Sequence, residues 1–187
     1  SIRGIDQFRA VARGWGDVGD NVLVDRFGRA WEGRYGGVEN AVPGAHAKGA
    51  NHTTFGISLM GNHDTAQVSA SAFRTLAHVI GWAFSWHGIT TSGSAVGPNG
   101  QSINRIVGHR NVASTACPGR YMYPRLGELR TLVAQYQRRT PPRSQPSHQT
   151  IRISGQHRYE TAVTAQRWTH LISTTKTVYV ATGADYA

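Results

Sequence analysis

Ile2, Ile5, Phe8 and Val11 recur every third residue, with Arg3, Asp6 and Arg9 between them. That spacing predicts a short amphipathic helix, ended by Gly14. A glycine-rich turn, Trp15-Gly16-Asp17-Val18-Gly19-Asp20, leads into Asn21-Val22-Leu23-Val24-Asp25, an apolar run of strand length. Residues 26–28 read as a turn and 29–33 as the return arm of a hairpin. Thr54-Phe55-Gly56-Ile57-Ser58-Leu59-Met60-Gly61 is a second strong strand. Ser69 or Ser71 can cap the helix that follows, where Phe73, Leu76, Ala77, Ile80, Phe84 and His87 keep helical spacing up to Gly88. Arg105-Ile106-Val107 is a short strand, and residues 123–139 are a final amphipathic helix with Leu126, Leu129, Leu132, Val133 and Tyr136 on one side. Segments 34–53 and 90–104 are rich in Gly and Asn and are expected to be loops; a loop as long as the first is usually functional or disordered. The order helix, hairpin, strand, helix, strand, helix predicts an α/β fold with a mixed central β-sheet flanked by helices.

After residue 139 the composition changes. Thr140-Pro141-Pro142-Arg143-Ser144-Gln145-Pro146-Ser147-His148 is a linker by its Pro and Ser content. The expected organisation is therefore a domain at 1–139, a linker at 140–149 and a smaller piece at 150–187. In that piece Ile151-Arg152-Ile153-Ser154-Gly155 reads as a strand, 158–168 as a helix and Thr177-Val178-Tyr179-Val180-Ala181 as a second strand. This is a partial β-α-β unit, too short for a core of its own.

Composition narrows the partners. The formal net charge is +10 and comes almost wholly from 18 arginines beside two lysines. The charge is spread along the chain, and a protein of this kind seeks a polyanion: nucleic acid, anionic lipid or anionic cell-wall polymer. A nucleic-acid binder would show a patterned basic helix or an aromatic-basic platform, and the sequence displays neither. No apolar run reaches the roughly 18–20 residues of a membrane span. No charged-then-apolar leader precedes the first helix, as expected of a segment of a longer protein. One cysteine in 187 residues excludes an internal disulfide. A monomer is expected.

That cysteine lies in Gly108-His109-Arg110-Asn111-Val112-Ala113-Ser114-Thr115-Ala116-Cys117-Pro118-Gly119. An imidazole and a thiol eight residues apart on a tight loop are two suitable zinc ligands. From spacing alone the pair reads first as a surface histidine and a buried free cysteine acting as a small hydrophobe.

Five segments, in order, carry a resemblance. They are Arg13-Gly14-Trp15-Gly16-Asp17-Val18-Gly19; Gly28-Arg29 with Glu32-Gly33-Arg34; Gly44-Ala45-His46-Ala47; Phe55-Gly56-Ile57 with Gly61-Asn62; and Gly108-His109-Arg110 with Thr115-Ala116-Cys117-Pro118-Gly119. Residues 1–139 resemble the zinc-dependent N-acetylmuramoyl-L-alanine amidases, a family that includes the peptidoglycan recognition proteins. The tail, through Arg152-Ile153-Ser154-Gly155, Arg158-Tyr159-Glu160-Thr161-Ala162-Val163 and Val178-Tyr179-Val180-Ala181-Thr182-Gly183, resembles a truncated cell-wall-binding type 2 repeat.

The resemblance implies a secreted, wall-attached hydrolase that cleaves the amide between N-acetylmuramic acid and L-alanine, with peptidoglycan and anionic wall polymers as partners. It implies Zn2+ held by His109, Cys117 and a further histidine. That third ligand belongs to a first strand that would lie upstream of Ser1, so the sheet is expected to lack a central strand. Thr115 is implied as an oxyanion donor. Asp20 stands where relatives carry Tyr or Glu; it could act as general base or be an ordinary turn residue. His46 and Trp15 are implied in the peptide groove, His46 as a substrate contact or a structural loop residue, Trp15 as groove wall or core. Arg110 is implied as a structural ion pair or a substrate contact. His52, His63 and His87 read as surface or cap residues. The alternative function is a non-catalytic peptidoglycan-binding module.

Overall fold

A computed structural model describes residues 17–40, 42–139 and 177–182. The predicted first helix, Trp15, the linker and most of the tail lie outside the described residues.

Five strands form one sheet. β1 (Val22–Val24) pairs antiparallel with β2 (Ala30–Glu32) and parallel with β3 (Thr54–Leu59). β6 (Ile106–Gly108) and β7 (Thr177–Thr182) complete it in the order β2-β1-β3-β7-β6. β7 runs parallel to both neighbours, with Gly56 and Val107 each opposite Tyr179. The sheet is thus mixed, as the pattern predicts. The tail strand is present too, yet its partners are β3 and β6 of the main sheet. The position between β3 and β6 is therefore filled.

Among the described residues, two α-helices pack on the sheet. α1 (Ala70–Trp86) begins at Ser69, whose Oγ accepts from the Ala72 N–H at 3.1 Å, so Ser69 and not Ser71 is the cap. His87 caps its C-terminal end. Phe73, Leu76, Ala77, Ile80 and Phe84 face inward, as their spacing requires, against Val24, Ile57, Leu59 and Ile106. α2 (Leu126–Arg139) follows a 3-10 turn at Tyr123–Arg125 and adds Leu126, Leu129 and Val133 to the same core. Each such large side chain contributes roughly 1.5–3 kcal/mol on burial. Gln137 ties the end of α2 to the chain leaving α1: its Nε2 donates to the Ile89 carbonyl at 2.7 Å and its Oε1 accepts from the Thr91 N–H at 3.0 Å.

Segment 90–104 departs from the expected loop. It contains an antiparallel pair, β4 (Ser94–Val96) and β5 (Ser102–Asn104). The turn between them is closed by Gly97 N–H to the Gln101 carbonyl at 2.8 Å and Gly100 N–H to the Gly97 carbonyl at 3.0 Å. Only Ala95 of the two strands is fully buried, so the hydrophobic alternation that marks a strand is too weak to read.

Asp25 organises the β1–β2 turn. It is 6% exposed, and its Oδ1 accepts from the N–H groups of Phe27 (2.9 Å) and Arg29 (3.0 Å). Its Oδ2 accepts from Arg29 Nε (2.6 Å) and Trp31 Nε1 (3.3 Å). Burial pushes its carboxyl up, but the hydrogen bonds from Arg29, Trp31 and Phe27 together outweigh this and hold it below its ordinary value.

Two predictions follow from this frame. Tyr179→Pro removes a ladder hydrogen bond from the interior of the sheet and should lower stability by about 3 kcal/mol or more, read as a drop in the urea midpoint. An unchanged midpoint would place β7 outside the cooperative unit. Asp25 is the stronger acid when folded, so the folded state takes up protons later than the unfolded chain as pH falls. Its contribution is present at neutral pH and is lost as pH drops through the folded value. Asp25→Asn should therefore be less stable at pH 7 and lose less stability on acidification, measured by urea unfolding across the acidic range.

Candidate functional site

The parallel strands β3, β6 and β7 end at the same edge of the sheet, and β6 delivers His109 there. His109–Asn111 forms one 3-10 turn directly after Gly108. Asn111 fixes that turn. Its Oδ1 accepts from the Gly108 N–H at 3.0 Å, and its Nδ2 donates to the Tyr123 hydroxyl at 2.9 Å.

Cys117 lies in the following loop, almost fully buried, with a cis bond to Pro118. Four contacts fasten its turn to the end of β6. The Arg110 N–H donates to the Cys117 carbonyl at 2.9 Å. The Arg110 guanidinium donates to the same carbonyl from Nε at 3.3 Å and to the Ala116 carbonyl from Nη2. Pro118 packs on Gly108 so closely that a Cβ there would lie 2.6 Å from its Cδ. Arg110 also stacks on the Tyr123 ring, 4.5 Å from its centre. In these contacts it braces the loop through carbonyl groups.

Thr115 sits two residues before the thiol. Its Oγ1 accepts from the Cys117 N–H at 3.2 Å, which orients the oxygen and leaves the hydroxyl hydrogen for another acceptor.

His46 is buried in the long loop, in a cradle made by two glycines. A Cβ on Gly44 or Gly56 would lie 2.1 or 2.4 Å from its Cδ2. Asn51 Oδ1 holds the loop by accepting from the His46 and Ala47 N–H groups at 3.0 and 2.7 Å. Burial pushes the His46 imidazole down to about 3, with smaller contributions from the charges of His109 and Arg34; a hydrogen bond to the Thr54 backbone works the other way. His46 is therefore neutral at any physiological pH and lies within the electrostatic reach of His109.

Asp20 is buried, not a surface turn residue. Its carbonyl accepts from the Arg34 N–H at 2.9 Å, and the preceding Gly19 carbonyl accepts from the Ala45 N–H at 2.8 Å. It thus belongs to the loops that enclose His46. His63 is also buried, against the expectation of a surface residue. Its Nδ1 bonds with the Ala66 carbonyl at 2.9 Å, and its own carbonyl accepts from the Tyr121 N–H at 3.0 Å. His52 is exposed. Among the described residues no group of three or more His, Cys, Asp or Glu side chains converges as a metal site.

Sequence reasoning passed over Asn111, Asn51, Arg34 and Tyr123. Asn111, two residues after His109 and ahead of an irregular loop, carried a legible signal, because Asn side chains bond nearby backbone groups. Arg34 stood in a segment that carries the resemblance, but its electrostatic effect on His46 depends on the hairpin and the long loop folding together.

Residues 4–120 match a model of the N-acetylmuramoyl-L-alanine amidases. The chain belongs to that family. It is similar to peptidoglycan-recognition protein SC2 of Drosophila melanogaster, 31% identical over 70% of this chain and 61% of the relative. It is also similar to the human N-acetylmuramoyl-L-alanine amidase, 26% identical over 79% of this chain and 25% of the relative. The chain thus spans less than two thirds of the curated relatives it matches. Its fold is that of the N-acetylmuramoyl-L-alanine amidase LysC from Clostridium intestinale, with a TM-score of 0.55 at 24% identity, covering 70% of this chain and 74% of that one.

The glycine cradle gives a direct test. Gly56→Ala should force the His46 ring out of place and cost about 1–3 kcal/mol, seen as a lower urea midpoint and a shifted His46 imidazole signal by NMR. A midpoint and signal like those of the parent would contradict the cradle.

Proposed function

We propose that His109 and Cys117 are two ligands of a Zn2+ centre that hydrolyses the amide between N-acetylmuramic acid and L-alanine in bacterial peptidoglycan. The observation that carries this reading is the fastening of the Cys117 turn to the end of β6, which brings a thiol loop and an imidazole turn together where that parallel strand finishes. Imidazole and thiolate are the donor types of zinc sites. The third ligand is not among the described residues. When bound, Zn2+ supplies a water acidic enough to ionise near neutral pH and a Lewis acid for the carbonyl oxygen.

The chain's own residues account for the rest. Thr115, with its oxygen oriented by the Cys117 N–H, donates its hydrogen to the developing oxyanion. Arg110 and Asn111 hold the two ligand-bearing turns in register. His46 remains neutral and adds no charge beside His109. Asp20 is the candidate general base, and the long loop that carries His46 is the candidate wall of the peptide groove. On this reading the protein acts outside the cell at the bacterial wall, and its tail is part of a wall-binding repeat. Relatives named peptidoglycan-recognition proteins support a second reading, binding without hydrolysis.

The test is release of soluble muropeptide from insoluble peptidoglycan by the zinc-loaded chain. Cys117→Ala should abolish release, and Thr115→Val should lower kcat by about 10²–10³-fold with little change in KM. Binding without release by the parent chain favours recognition over hydrolysis. Full activity in Cys117→Ala would remove the ligand assignment.

A further inference from the structure

The β1–β2 turn carries an aromatic–arginine cluster of the kind that the sequence does not display. Phe27 is 62% exposed and Trp31 38% exposed. The Arg26 guanidinium lies 4.6 Å from the centre of the Phe27 ring, and that of Arg29 lies 5.2 Å from Phe27 and 5.3 Å from Trp31. Pattern reading misses the cluster because the residues alternate across a turn and meet only when the hairpin closes.

The cluster is held in place from below. Asp25 takes Arg29 Nε and Trp31 Nε1 on a single oxygen. Two hydroxyls of α1's N-terminal region clamp the backbone of the turn: Ser69 Oγ donates to the Arg26 carbonyl at 2.6 Å, and Thr75 Oγ1 donates to the Gly28 carbonyl at 2.8 Å. Ring stacking restricts both guanidinium groups, so less side-chain entropy is lost when they bind. Arg29 uses Nε inward and its side chain is still 61% exposed. All three strand residues of β2 beside the turn are exposed, and β2 is an outer strand of the sheet among the described residues.

We propose that Arg26 and Arg29, set on Phe27 and Trp31, form a docking surface for the phosphodiester groups of a polyol-phosphate polymer of the bacterial wall. Charge complementarity decides the occupant: the chain carries +10, and a planar guanidinium pair matches phosphate oxygens. The aromatic faces are engaged by guanidinium, which favours phosphate capture over the base stacking that single-stranded nucleic acid needs. The choice of a wall polymer rests on the proposed action at peptidoglycan. The surface would hold the chain on a wall whose glycan it acts upon, through contacts separate from the His109–Cys117 loops.

The test is binding of the full chain to soluble poly(glycerol phosphate), titrated from low to moderate salt. Arg26→Gln leaves the Asp25 network intact, so its fold is safe. It should weaken binding several-fold and reduce the slope of log affinity against log salt by about one; Arg26→Gln with Arg29→Gln should reduce it by about two. Arg139→Gln, at the end of α2, removes the same charge and should leave affinity within about two-fold. Equal losses in Arg26→Gln and Arg139→Gln would mean diffuse charge and overturn the proposal. So would a double variant that loses affinity for single-stranded DNA but keeps it for the polymer. Co-sedimentation with peptidoglycan stripped of anionic polymer, run on the same proteins, separates the two readings. Parent and variants should sediment alike; failure of the parent to sediment counts against the action at peptidoglycan, not against the docking surface.

Discussion

The architecture of the site depends on one fastening: the turn that carries Cys117 is bound to the end of the strand that carries His109. Arg110 makes that bond three times over, from its backbone N–H and from two guanidinium nitrogens. Pro118 against Gly108 closes the remaining space. Each hydrogen bond adds only about 0.5–1.5 kcal/mol to stability. Their larger effect is positional, since a loop tied at several points to a rigid strand keeps its side chains in one arrangement. A thiol and an imidazole on untied loops would have to be ordered by the metal itself.

The strand end is only as rigid as the sheet behind it. Among the described residues β6 lies at the edge opposite the hairpin and pairs with β7 alone, so the His109 turn depends on whatever fills the position between β3 and β6. In this chain the occupant comes from the tail, across a long stretch of sequence from both neighbours. Parallel strands always need a connection of this sort, because no tight turn can join them. The consequence is that β7 of the tail and the strand that carries the His109 turn share one sheet.

The sequence made the frame legible where hydrophobic periodicity was strong. β1, β3, α1 and α2 fall where the pattern puts them, because each buries a continuous apolar run or stripe. It missed β4 and β5, where one buried alanine among exposed residues gives no period to detect. The strand in the tail was found but not its partners, since strand pairing at long range leaves no local mark. Within the site, His109, Cys117 and Thr115 stood out by residue type. What surrounds them did not: the neutral state of His46 comes from burial between two glycines, and the burial of Asp20 and His63 comes from loops closing over them.

The most direct measurement of the central claim is zinc K-edge X-ray absorption on the zinc-loaded chain. The account predicts one sulfur neighbour at about 2.3 Å together with nitrogen scattering typical of imidazole. A metal shell of oxygen and nitrogen alone, with no sulfur, would contradict it.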